Sequence, residues 1–300
     1  MTFKDPEIGA VRELLAGMGG DGLAGPIDYP TRRAGMDAFG DMSPPPEGCT
    51  VEAVTLGGRP AEKLTPKGAA ADKVLLYFHG GAYSLGSPKS HRGLAAHLAA
   101  GAGATAYTSD YRLAPEHPYP AAVEDGLAAY KALLEQGVAP ARIVMAGDSA
   151  GGGLTLATAL AARDAGLPAA AGLFLISPWA NMTTAGASYA VKEGKDPMIS
   201  TAGMVDSAAT YLAGKPDDVL ASPARADFTG LPPILIHVGS EEVLMSDSVA
   251  VAQQAGLAGV GARLEIWPEM IHVWHAFYMM LGAGRRAIAQ AGTWIGERLS

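Results

Sequence analysis

The stretch Gly147-Asp148-Ser149-Ala150-Gly151 sets a serine between two glycines, where an apolar run, Ile143 to Ala146, gives way to a helix-forming stretch of alanine and leucine. A serine hydroxyl becomes a nucleophile only when a neighbouring base takes its proton. A sharp strand-to-helix turn would hold that hydroxyl out at the end of a strand, with small neighbours letting strand and helix pass closely. Ala150 opens the helix, so its N–H has no partner inside it and points to where an anion can sit. These features suit attack on a carbonyl carbon, with the tetrahedral oxyanion resting on backbone N–H groups. Upstream, "FHGGAY" (Phe78 to Tyr83) ends a second apolar run. Gly80 and Gly81 are expected to join Ala150 as oxyanion donors, while His79 reads as a residue that ties the loop down.

Seven histidines compete to be the base. His91 and His97 fall on an expected helix, His117 lies among prolines and acids in "PEHPYP", and His237 sits inside an apolar strand as a core residue. Around a nucleophile turn of this kind the chain order is serine, acid, histidine, so the base lies late. His272, on the loop in "WPEMIHVWHAF", is expected ahead of His275, which the spacing puts on the following helix. The acid should follow the strand "PILIHVGS". Glu241 reads as a solvated loop charge. Asp247 sits at a helix start, where the macrodipole alone explains an acid. Glu242, its backbone anchored by the apolar Val243-Leu244, is the expected acid, with Asp247 as the alternative.

Strands are expected over "TVEAVTL" (Thr50 to Leu56) and its hairpin partner "AEKLTP", over "KVLLYFHGG" (Lys73 to Gly81) and "ATAYTSDYRL", then over the strand before Ser149, "AAGLFLISPW" (Ala170 to Trp179), "PILIHVGS" and a last, edge strand "ARLEIWP". Helical patterns alternate with them. Continuously apolar strands separated by helices predict an α/β fold with a mostly parallel sheet covered on both faces. Residues 1 to 48 read as helical and then irregular up to "SPPPEG", and about 180–226 as an insertion without strands.

The chain has 300 residues, 49% hydrophobic and 17% charged, enough for one large globular domain. A net charge of −8 argues against nucleic acid or an anionic membrane as partner. Cys49 is the only cysteine, so no intrachain disulfide or cysteine metal cluster is expected. The acidic, proline-bearing start and the lack of any stretch of about 18 uncharged apolar residues predict a cytoplasmic protein without stable membrane association. There is no HExxH and no clustered ligand set, and "GAGATA" ends a helix before a strand, the reverse of a dinucleotide-binding turn. No metal or other cofactor is expected.

Together "YFHGGAYSLGS", "DYRLAPEHPYPAAVED", "AGDSAGGGL", "SPWANM", "GSEEVLMSDS" and "MIHVWHAF", spanning Tyr77 to Phe277, resemble the hormone-sensitive lipase family of α/β-hydrolases, in its bacterial GDSAG esterase branch. The resemblance implies an α/β-hydrolase domain over 49–300, with a helical cap made of residues 1–48 and the insertion at 180–226. It implies a carboxylesterase for short- to medium-chain acyl esters, acting through an acyl-enzyme on Ser149, with His272 as base and Gly80, Gly81 and Ala150 as oxyanion donors. Where the family has Asp-Pro-Leu at the acid, this chain has Glu242-Val243-Leu244, and where it has a third glycine after the histidine, Ala82. Amide or thioester hydrolysis on the same groups, and a receptor-like ligand-binding homologue, are the alternatives. Relatives often pair through the last strand, which implies a homodimer.

Overall fold

A computed structural model describes residues 5–18 and 28–300. Eight strands, β1 (Thr50–Leu56), β2 (Arg59–Thr65), β3 (Ala70–Phe78), β4 (Ala104–Ser109), β5 (Ile143–Asp148), β6 (Gly172–Ile176), β7 (Ile234–Gly239) and β8 (Ala262–Trp267), form one sheet in the order β1-β2-β4-β3-β5-β6-β7-β8. The pairs from β4 through β8 are parallel, and only the β1–β2 hairpin and its join to β4 are antiparallel. This is the α/β-hydrolase fold.

Side chains alternate across each strand, so a strand covered on both faces must be apolar throughout. In β3, Leu75 and Tyr77 face one layer and Leu76 and Phe78 the other. The first layer holds α3 (Pro88–Ala102) and α9 (Gly282–Arg298), through Leu94, Leu98, Ile288 and Ile295. The second holds α4 (Ala121–Glu135), α5 (Ala150–Asp164) and α8 (Met245–Leu257), through Leu133, Leu154, Leu160 and Val251. Local signals agree with these bounds. Ser87 caps α3 in a capping box with Ser90, Pro88 opens the helix, and Gly103 closes it in the left-handed conformation.

Two helices precede the sheet: α1 (Pro6–Gly17), which buries Ile8, Val11 and Leu15 against Met270, Ile271 and Trp274, and α2 (Tyr29–Asp41). The second helix corrects the reading of this stretch as irregular. Asp28 caps it and Pro30 opens it, but its only fully buried residue is a glycine, so it carries little apolar periodicity. The segment 180–226 holds α6 (Ala187–Val191) and α7 (Thr201–Leu212) and no strand. A further correction concerns His275: it lies on a 3-10 turn, Trp274–Phe277, and the next α-helix starts only at Gly282. No helix among the described residues is long and apolar enough to cross a membrane.

Candidate active site

Ser149 stands between β5 and α5 with φ 53° and ψ −121°, a strained backbone for a residue with a side chain. Three hydrogen bonds hold it there. Its N–H donates to Ile176 O at 2.8 Å, and its carbonyl accepts from Gly153 N at 3.1 Å and Trp179 N at 2.9 Å. The flanking glycines are required by space. A Cβ on Gly151 would collide with the carbonyl oxygens of Phe78 and His79, and one on Gly147 with the Gly151 carbonyl.

The loop after β3 lies against this turn, and Asp148 joins the two. Its buried carboxylate accepts from Tyr77 Oη at 2.7 Å and Gly80 N at 3.1 Å, and His91 Nε2 lies 3.3 Å away. Burial alone would raise the Asp148 pKa, but His91 and the Tyr77 hydrogen bond hold it below the ordinary value. The assignment of Gly80 as an oxyanion donor is therefore corrected: its N–H turns back to Asp148. Beyond it Gly81, Ala82 and Tyr83 all have positive φ (112°, 53° and 58°), and the Gly81 carbonyl accepts from Ser84 N and Leu85 N. Among the described residues no acceptor is paired with the N–H of Gly81, Ala82 or Ala150. His79 donates from Nδ1 to Gly80 O at 2.8 Å and stacks on Tyr111, whose hydroxyl donates to His79 O at 2.7 Å. Burial, with repulsion from His91, lowers its pKa to about 3, so it stays neutral as a loop anchor.

At the carboxyl end of β7 the chain places Glu242, fully buried, and after β8 it places His272. His272 Nδ1 donates to Glu242 Oε2 at 3.0 Å. Glu242 Oε1 accepts from Ser177 Oγ at 2.7 Å and from the Gly239 N–H. Burial by itself would lower the His272 pKa. The Glu242 hydrogen bond and charge, with Asp196 and Asp148 further off, raise it above the ordinary value. Ser177 also accepts from Val273 N at 3.2 Å. Ile176, which takes the Ser149 amide, is the residue before it. One strand end therefore holds the Ser149 turn, Glu242 and the loop that carries His272. The structure joins His272 to Glu242 directly. Neither Ser149 Oγ nor His272 Nε2 is hydrogen-bonded to a described residue.

The alternatives are occupied elsewhere. Asp247 accepts from Ala180 N and Asn181 N, each at 2.9 Å, and from Tyr189 Oη at 3.2 Å, and so holds the start of the insertion. Burial pushes its pKa up to about 7 against those N–H bonds. Glu241 pairs with Lys192 at 3.4 Å. His275 Nε2 meets His237 Nδ1 at 3.1 Å in the core, and burial drives both imidazoles well below their ordinary pKa. Sequence reasoning missed the roles of Asp148, the variable residue of the serine turn, and of Ser177, which opens "SPW". No local pattern announces either, because their partners are 57 or more residues away. Arg33 of α2 reaches the same region, donating to Ser84 O and Ala114 O and pairing with Glu116. Among the described residues no three His, Cys, Asp or Glu side chains cluster so as to hold a metal ion.

Comparison with known proteins agrees with this geometry. Residues 75–276 match the family model described as alpha/beta hydrolase fold. An acetyl-hydrolase of Streptomyces hygroscopicus is 47% identical over 97% of this chain and 96% of its own. The putative acetyl-hydrolase LipR of Mycobacterium tuberculosis is 39% identical over 82% of this chain and 80% of its own. Among solved structures, an esterase from the bacterial hormone-sensitive lipase family superposes with a TM-score of 0.95 at 39% identity, with both chains covered in full. EstE5 gives 0.93 at 43%, covering 98% of this chain and 99% of its own. The chain is a carboxylic-ester hydrolase and belongs to the bacterial hormone-sensitive lipase family of α/β-hydrolases.

Proposed function

We propose that ester hydrolysis here runs through an acyl-enzyme on Ser149, with His272 as base and Glu242 as the acid that orients it. The observation that carries this reading is the His272–Glu242 contact. Nδ1–H on the carboxylate leaves Nε2 of the neutral ring with a lone pair for a hydroxyl proton. In the first half-reaction Ser149 Oγ bonds to the ester carbonyl carbon while its proton moves to His272 Nε2. The oxyanion rests on the N–H groups of Gly81, Ala82 and Ala150, with Ala82 replacing Gly80. The carbon–oxygen bond then breaks, His272 returns the proton to the alcohol, and water repeats the sequence on the acyl-serine. Contacts between serine and imidazole commonly tighten only in the substrate complex.

The proposed substrates are esters of short acyl chains, acetyl first, since a relative across 97% of the chain is called an acetyl-hydrolase. Helices α1 and α2 and the stretch 180–226 are proposed as the cap that shapes the acyl pocket. A second copy across β8 is the proposed partner, because β8 ends the sheet and exposes Ile266. Light scattering should then give twice the chain mass, and Ile266→Lys a monomer.

A chain-length series of chromogenic esters tests the activity, with kcat/KM falling as the acyl chain lengthens. Ser149→Ala should reduce turnover by about 10⁴-fold or more while the fold persists. Retained turnover would remove Ser149 from the mechanism.

A further inference from the structure

Asp196 lies between α6 and α7, in the insertion, and is 7% exposed. Its Oδ1 accepts from Met198 N at 2.9 Å and Ile199 N at 3.4 Å. An asparagine would serve that turn equally well. The second oxygen, Oδ2, is buried with no hydrogen-bond partner among the described residues, which is costly for a carboxylate unless a charge nearby compensates. Burial raises the Asp196 pKa most, the field of His272 lowers it and that of Glu242 raises it. The neighbouring charges are engaged: Lys192 with Glu241, and Arg12 of α1 with the Lys195 carbonyl at 2.8 Å. These contacts, with Met198 packed on the cluster of Met270 and Ile271, hold the segment beside the histidine loop.

We propose that Asp196 is a second carboxylate for the His272 imidazole, a positioning residue through which the insertion stabilises the imidazolium formed during acyl transfer. The proton taken from Ser149 stays on the ring. Glu242 meets the resulting charge through the Nδ1 hydrogen bond and Asp196 through space, with Asp148 as the third acid acting on the ring. Burial raises the Asp196 pKa to about 7, so its charge changes in the same range as the imidazole and the two titrate as a coupled pair. The proposal rests on His272 being the base.

Asp196→Asn keeps the turn and removes the charge. The expected result is a fall in kcat of about 10-fold with KM within about twofold, since only the charged transition state loses an interaction. NMR titration of His272, its signal identified by loss in His272→Gln, should give an imidazole pKa lower by about half a unit to one unit, and the acid limb of kcat/KM should move down with it. An unmoved His272 titration overturns the proposal whatever happens to the rate, and so does a moved titration with unchanged kcat. The titration needs no turnover, so it also distinguishes failure of this proposal from failure of the triad reading, which Ser149→Ala tests.

Discussion

Two buried imidazoles, His91 and His272, each sit on a carboxylate with almost the same surroundings. Glu242 gathers a hydroxyl from Ser177, the amide of Gly239 and the ring of His272. Asp148 gathers a hydroxyl from Tyr77, the amide of Gly80 and the ring of His91. In both pairs burial would drive the ring neutral, and the carboxylate overcomes it, so both histidines have raised pKa values. His91 manages this in the first turn of α3, where the helix dipole opposes a cation. The difference lies at the second nitrogen. His91 Nδ1 meets Ser90 Oγ at 2.8 Å, so both ring nitrogens are engaged. His272 has only its Nδ1 engaged by a described residue. A carboxylate and a raised pKa therefore do not make a base. The proposed mechanism needs a free ring nitrogen, which His272 keeps and His91 does not, and the His91–Asp148 pair instead acts as a clasp between the Ser149 turn and the loop after β3.

Substituting both rings should separate these roles most widely. His272→Gln should lose about 10⁴-fold or more in kcat, because it removes the proposed acceptor of the serine proton. His91→Gln keeps an amide near Asp148 and should stay within about tenfold of the parent rate, its cost appearing instead as about 1–3 kcal/mol of stability. Steady-state kinetics and thermal melts read the two effects, and equal kinetic losses would break the comparison.

The next contrast is between the carboxylates after β7. Glu242→Gln should cost about 10³–10⁴-fold in kcat, since the ring loses its orienting acceptor and its imidazolium partner. Asp247→Asn should cost less than about tenfold, because an amide oxygen can still accept from Ala180 and Asn181. The reverse ranking would return the acid's role to Asp247. Smaller again are the hydroxyls. Ser177→Ala removes a hydrogen bond to the working carboxylate and should lower kcat about tenfold, while Tyr77→Phe, the matching change on Asp148, should lower the melting temperature and spare kcat. Equal kinetic losses from the two would mean that the clasp takes part in the chemistry.

Much of this architecture is legible from local pattern. The continuous apolarity of "KVLLYF", "IVMA", "LFLI" and "ILIHV" marks central parallel strands because both faces are covered. The serine turn is visible because sterics permit so few residues around it. Helix α2 was hidden because it buries almost nothing. The turn of the Gly80 amide away from the proposed oxyanion site was hidden because Asp148 decides it from 68 positions away. Asp196 carried no signal for the same reason: an aspartate before a proline reads as a turn until its second oxygen is found buried. Turns and buried faces are written in neighbouring residues, whereas polar networks are written in pairs that only the folded chain brings together.

The smallest effect is a shift along the pH axis. In the proposed mechanism His272 must be neutral to take the serine proton. The charge of Glu242, with Asp196 and Asp148, raises the His272 pKa, so the acid limb of kcat/KM should have its midpoint above the ordinary imidazole value of about 6.5. Stability should run the other way. His91 and His272 have folded pKa values above their unfolded ones. Each contributes stabilisation that is complete below about 6.5 and is lost as pH rises through the folded value. Asp247, raised to about 7, pulls in the same direction between about 3.9 and 7, since the unfolded chain gives up that proton earlier. Just above pH 6.5 the enzyme should therefore gain rate as it loses melting temperature. His91→Gln sharpens the test: it should flatten the dependence of melting temperature on pH and leave the kinetic limb in place. If the limb moves as the slope flattens, the two imidazoles titrate as one system, and the distinction between clasp and base fails.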